Sequence, residues 1–242
     1  IVFLHGWGMN QEIWRGLTER LPEAIRHRIR TLDLPGYGAS KTLNGSYALD
    51  NLVDWLAQEV TEPSYLLGWS LGGLVAQAFS TRFPDRVQAL GLIASTPKFV
   101  ANDSWPGIQP QVLASFSKQL ATDHSALIEK FMAIQAMGSA TAKQDIKQIK
   151  QWVLAAPAPD FTALSAGLDM LLNVDLRDNF ANLPVTTRLI LGKLDSLVPA
   201  KIIPQLQALN TKIAVHQVAK ASHAPFVSHP DDFIEWLRDL VK

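Results

Sequence analysis

The chain has no cysteine among its 242 residues, so it can form no disulfide and can offer no thiol nucleophile. That composition fits a reducing compartment, and a cytoplasmic location is expected. No stretch approaches the ~18 consecutive apolar residues of a membrane span, so no membrane partner is expected. Charge of one sign is also missing: 22 basic residues face 22 acidic ones, for a formal net charge of zero. Without a global basic surplus, nucleic acid is not an expected partner. No spacing of ligating side chains points to a metal site, and no cofactor motif is visible, so neither is expected. What the chain does have is 48% apolar residues, enough at this length to bury a large core.

One string carries specific chemistry: Gly68-Trp69-Ser70-Leu71-Gly72. It follows the apolar run Tyr65-Leu66-Leu67 and precedes a small-residue helical pattern from Gly73 to Phe79. Strand, sharp turn, helix is the context in which Gly-x-Ser-x-Gly presents a nucleophile. Glycines flank the serine because a turn this tight leaves no room for a Cβ beside it. The following helix directs free N–H groups and its positive dipole end at the reacting centre.

A serine hydroxyl needs a base, and the base needs a third group to orient it. For an elbow of this kind the chain order is Ser, acid, His. His223 follows a β-like run over 213–218 and is the expected base. His229 precedes Pro230, which is expected to open the last helix, so it reads as a turn or cap residue. Asp195 is the one acid in the loop after the strand-like run Arg188-Leu189-Ile190-Leu191-Gly192. Its bland role would be to cap the helix begun near Pro199, a task Ser196 can also perform. Asp175 and Asp178 are not closely preceded by a strand. The expected triad is Ser70, Asp195 and His223.

The oxyanion donors are expected to be the backbone N–H groups of Leu71 and of Trp7, the latter in the His5-Gly6-Trp7-Gly8 loop that ends a short apolar strand. His5 is read as a buried, hydrogen-bonded loop anchor, and His27, His124 and His216 as surface residues. Strand and helix patterns alternate to about residue 96, with a helix over 10–21, a strand over 29–32, a helix from Asp50 to Glu59 and a strand over 87–94. This alternation implies an α/β fold, a mostly parallel sheet with helices on both faces, binding beyond the carboxyl ends of its strands. Residues 97–174 read as four helices (111–120, 125–137, 140–154 and 161–173) forming an inserted lid between two core segments, 1–96 and 175–242. Inside that block Lys130, Lys143, Lys147 and Lys150 against Asp145 leave a local excess of three positive charges. Three of the lysines share a helix face at i, i+4, i+7, with Ile146, Ile149 and Val153 opposite. That is either a solvated face or a dock for an acidic partner.

Across its whole length the chain resembles the pimeloyl-acyl-carrier-protein methyl ester esterases of biotin synthesis, α/β-hydrolases with a four-helix lid. Leu4-His5-Gly6-Trp7-Gly8, Asp33-Leu34-Pro35-Gly36, Leu67 to Val75, Trp105-Pro106-Gly107-Ile108, Met137-Gly138 and Ala221 to Phe226 carry the likeness. The resemblance implies the same triad and adds Trp7, Trp69, Leu71 and Phe131 as residues binding the acyl group. It implies an acyl carrier protein bearing the pimeloyl methyl ester as partner, held by Lys130, Lys143 and Lys147, where relatives often use arginine, with Lys150 on the same face as a further docking candidate. A further basic position is Ala126 here. Lysine keeps the charge and loses the bidentate fork, so looser docking is expected. The chain begins without methionine and inside an apparent strand, where such a hydrolase is expected to have an N-terminal hairpin first. The alternatives are a broad carboxylesterase acting on small esters, a lyase or carbon–carbon hydrolase on the same fold, and a non-catalytic receptor.

Overall fold

Runs such as Leu66-Leu67 and Leu90-Gly91-Leu92-Ile93 are apolar at consecutive positions, the pattern of strands covered on both faces. In the computed structural model, which describes residues 1–137 and 140–242, they lie in a six-stranded sheet. Its strands are β1 (Val2–Leu4), β2 (Arg30–Leu32), β3 (Ser64–Trp69), β4 (Val87–Ile93), β5 (Thr187–Gly192) and β6 (Ala214–Val218), in the order β2-β1-β3-β4-β5-β6. Every pairing is parallel. Leu4 of β1 and Leu92 of β4 both sit opposite Gly68 of β3, so these strands end at one level. The loops after β1, β3 and β5 therefore open on the same edge of the sheet, the edge where such folds bind ligands.

The helix Leu49–Glu59 forms as its spacing predicts, with Asp50 in the first turn and Leu52, Val53 and Leu56 buried. The helix expected over 10–21 is broken instead into a 3-10 turn, Gln11–Trp14, and one helical turn, Arg15–Thr18. Gly16 and Thr18 are weak helix formers, and tertiary bonds fix the segment. Asn10 caps it by accepting from the Glu12 N–H and donates its own amide to the Val153 carbonyl, 2.9 Å away. Periodicity cannot register that second bond.

Between β4 and β5 the chain forms four long helices, Pro110–Thr122, His124–Gln135, Ala142–Val153 and Phe161–Asn173. All four match expectation to within about two residues at each end; Gly138 of the Met137-Gly138 string lies outside the described residues. The last of the four is tied to the core near its start. Asp160 N–H donates to the Gly36 carbonyl (2.7 Å), Tyr37 Oη to Ala163 (3.1 Å) and Trp7 Nε1 to Leu164 (2.8 Å). The two chain crossings into and out of the insertion are joined as well. Leu176 N–H bonds the Pro97 carbonyl at 2.9 Å, and Asp175 pairs with both Lys98 and Arg177. The Arg177 hydrogen bond first, then that from Lys98, holds the Asp175 carboxyl well below the ordinary carboxylate range. Among the described residues no helix is long and apolar enough to cross a membrane.

Candidate active site

Ser70 has φ 53° and ψ −117° and is one of two non-glycine residues with positive φ among those described. That backbone lies outside the regions ordinary residues favour and is the signature of a nucleophile elbow. The turn closes so tightly that a Cβ on Gly68 would stand 2.4 Å from the Gly72 carbonyl oxygen. The strain is held by bonds on both sides: Ser70 N–H donates to Ile93, and Ser95 Oγ donates to the Ser70 carbonyl at 2.9 Å. Sequence reading missed Ser95, which no motif marks and which reaches the elbow only because β4 lies beside β3.

The sheet brings Asp195 and His223 together, as the sequence predicts. His223 Nδ1 donates to Asp195 Oδ2 at 2.7 Å, with both side chains fully buried. This bond places the second proton site of the neutral ring at Nε2 as an acceptor, the form a general base needs. Among the described residues nothing hydrogen-bonds to His223 Nε2. The helical turn that follows Pro199 takes no side-chain cap from Asp195 or from Ser196; Asp195 instead braces the loop before it. Its Oδ1 accepts from the N–H groups of Leu197 (2.8 Å) and Val198 (3.0 Å). One carboxylate thus fixes its own loop with one oxygen and the imidazole with the other.

Leu71 opens the helix Leu71–Arg82, so its N–H has no acceptor within the helix. Trp7 follows β1, and among the described residues its backbone N–H meets no acceptor. Both are available as oxyanion donors. Phe131 is buried and packs edge-on against Trp7, with ring centroids 4.9 Å apart. Trp69 is turned into the core, fully buried beside Phe226 at 5.1 Å, and its indole N–H donates to the His223 carbonyl at 2.8 Å. Ser70 is 2% exposed and His223 not at all, so this constellation is shut off from solvent.

The lysines sit apart from these groups. Lys130, Lys143 and Lys147 are exposed, and Lys130 Nζ lies 5.5 Å above the Phe116 ring. Lys150 is paired with Glu129 at 2.6 Å. Asp145, expected to offset the lysine face, is 4% exposed and accepts from Thr141 Oγ1. The surface excess of three charges survives by a different route: Glu129 neutralises Lys150, and Asp145 faces inward. His27, His124 and His216 are exposed, as expected, and His229 stands at the N-cap position of Pro230–Leu240 without a side-chain cap bond.

His5 is the anchor its sequence context implies. It is fully buried, its Nε2 accepts from the Leu34 N–H (3.0 Å), and its Nδ1 bonds the Gly6 carbonyl (2.8 Å). Burial, outweighing the Gly6 carbonyl and the Asp33 charge, pushes its pKa down from 6.5 to about 4. Between those values the unfolded chain holds the extra proton, so stability is full above pH 6.5 and falls as pH drops toward about 4. The loss from this one group is on the order of 3 kcal/mol. Urea melts at a series of pH values are expected to show that slope in the parent and a shallower one in His5→Gln. Equal slopes would show that His5 is not the titrating group.

The sequence profile of the alpha/beta hydrolase family matches residues 1–236. A pimeloyl-[acyl-carrier protein] methyl ester esterase of Aeromonas hydrophila subsp. hydrophila is 46% identical over 245 aligned residues, covering 100% of this chain and 94% of that protein. The protein of the same description from Aeromonas salmonicida is likewise 46% identical, with the same coverage. Among solved structures, an esterase from Exiguobacterium antarcticum superposes with a TM-score of 0.85 at 21% identity, over 99% of this chain and 90% of its own. A bromoperoxidase from Bacillus anthracis reaches 0.86 at 18% identity with the same coverage; likenesses at this level of identity speak for the fold alone. The parallel sheet, the elbow and the full-length similarity together place the chain in the alpha/beta hydrolase family, among the pimeloyl-[acyl-carrier protein] methyl ester esterases.

Proposed function

We propose that this chain is a serine carboxylesterase that removes the methyl group from pimeloyl-acyl carrier protein methyl ester. The buried His223–Asp195 hydrogen bond beside a strained Ser70 is the observation that carries the chemistry. The full-length 46% identity to two esterases of that description supports the substrate. His223 Nε2 takes the Ser70 proton as Oγ attacks the terminal ester carbonyl. The N–H groups of Trp7 and Leu71 hold the developing oxyanion. His223 then gives the proton to the departing methoxide, so methanol leaves. Water, activated by the same nitrogen, cleaves the acyl-enzyme and frees a carboxylate. Asp195 keeps the ring in its tautomer and supports its positive charge. No step requires a metal or an organic cofactor.

Residues 97–174 act as a lid in this reading, because a serine 2% exposed cannot meet a substrate until the helices above it part. Phe131, packed on Trp7, would line the acyl chain's path. The exposed Lys130, Lys143 and Lys147 face an acidic carrier protein, and Lys150, already paired with Glu129, contributes less. The absence of cysteine supports action in the cytoplasm.

The test is mass-spectrometric loss of the methyl group from the carrier-bound ester, run beside a short soluble ester. Charge reversal at Lys143 and Lys147 together is expected to raise KM for the carrier-bound ester by about ten- to a hundredfold at low salt. The effect should shrink at high ionic strength, and the soluble ester should be cleaved as before. A carrier-bound ester left intact while the soluble one turns over would replace this reading with a broad carboxylesterase.

A further inference from the structure

Trp69 is the residue that the resemblance makes part of the acyl-binding wall, and its indole is committed elsewhere. The side chain is fully buried, and Nε1 donates to the backbone carbonyl of His223 at 2.8 Å. Its ring is held in turn by Phe226, three residues beyond the base, at 5.1 Å and near-perpendicular, and by Trp14 at 6.2 Å. Trp14 and Phe226 also pack on each other at 4.3 Å. A ring wedged this way has little freedom, so its N–H is a fixed donor.

The bond matters because of what it joins. Trp69 is covalently next to Ser70, and His223 supplies the base. Asp195 orients the imidazole at Nδ1, yet it does not fix how far the backbone of residue 223 stands from the elbow. The indole bond ties that backbone to the residue beside Ser70. We infer that Trp69 is a positioning residue for catalysis, setting the distance between Ser70 and the His223 ring through its hydrogen bond to the His223 carbonyl. This rests on the Ser70–Asp195–His223 reading of the site. Removing the donor would leave a buried carbonyl without its partner, and the loop would move to find another. A displacement of about 1 Å at a general base costs on the order of a hundredfold in rate.

The alternative is that Trp69 only fills the core, and the test must separate the two. Site-specific replacement of Trp69 by benzothienylalanine keeps the ring's shape and swaps the N–H for a sulfur that cannot donate. Positioning predicts that kcat for p-nitrophenyl butyrate falls by about ten- to a hundredfold, with KM changed less than about twofold. It also predicts that the low-field proton resonance of the His223–Asp195 bond shifts or broadens. Trp69→Phe should move both readouts the same way, with a larger loss in Tm from its smaller ring. Ser70→Ala is run in the same series. A fully active Ser70→Ala would overturn the triad reading and this inference with it. An inactive Ser70→Ala beside an analogue of undiminished kcat and unmoved resonance would overturn the positioning role alone, leaving Trp69 as packing.

Discussion

Ser70→Ala is expected to lower kcat for ester hydrolysis by about a millionfold while leaving Tm within a degree or two of the parent. The side chain touches little that holds the fold: the elbow is kept by Ser70 N–H to Ile93 and by Ser95 Oγ to the Ser70 carbonyl, both backbone groups of residue 70 that alanine retains. What remains should be the modest rate that the oxyanion donors and substrate binding supply without a nucleophile. Asp195 gives a sharper dissection, because its two oxygens do different work. Asp195→Asn can keep its amide oxygen on the Leu197 and Val198 N–H groups. It must then present an NH2 to His223 Nδ1, which forces the proton to Nε2 and removes the base. A loss of about ten-thousandfold in kcat at nearly unchanged Tm is expected. Asp195→Ala should lose the same activity and also destabilise the loop, by roughly 1–3 kcal/mol for N–H groups left without their acceptor. Steady-state kinetics and thermal melts of the three variants check this. Equal melting losses for Asn and Ala would show that Oδ1 does not hold the loop.

The same residue shows where sequence reading stops. Chain order and loop position singled out Ser70, Asp195 and His223 as candidates, since strand, turn and helix patterns are local and this fold sets the order in which such residues come. Local pattern likewise placed the helix Leu49–Glu59 and the four inserted helices. Sequence weighed a helix cap against catalysis for Asp195; in the structure neither oxygen caps that helix, Oδ1 accepting from its own loop and Oδ2 from His223. The charges of Lys150 and Asp145 show the same limit. Their charges were counted along one helix, whereas Glu129 reaches Lys150 from the neighbouring helix and Asp145 turns inward. The bond from Trp69 to His223 spans 154 residues and leaves no trace in periodicity. Motifs record what each loop must be; they do not record how loops brace one another.

Gly192→Ala tests that bracing directly. Gly192 ends β5, paired with Val218 of β6, and leads into the loop bearing Asp195. A Cβ there would stand 2.0 Å from the Ser222 carbonyl oxygen and 2.5 Å from that of Ala221. Both obstacles are backbone atoms, so no change of rotamer relieves the clash. The segment that must retreat carries His223, and it is held to the acid loop by the Leu194 N–H bond to Ala221 at 2.9 Å. Overpacking of this kind costs about 3 kcal/mol, enough to lower Tm by several degrees. A base loop pushed away from Asp195 by about an ångström should also lose on the order of a hundredfold in kcat. Tm and kcat of Gly192→Ala are to be measured on the same preparation. A lowered Tm with undiminished kcat would mean that the two loops shift together and keep their mutual geometry. That outcome would place the precision of the site in the His223–Asp195 pair itself, rather than in the strand end that carries it.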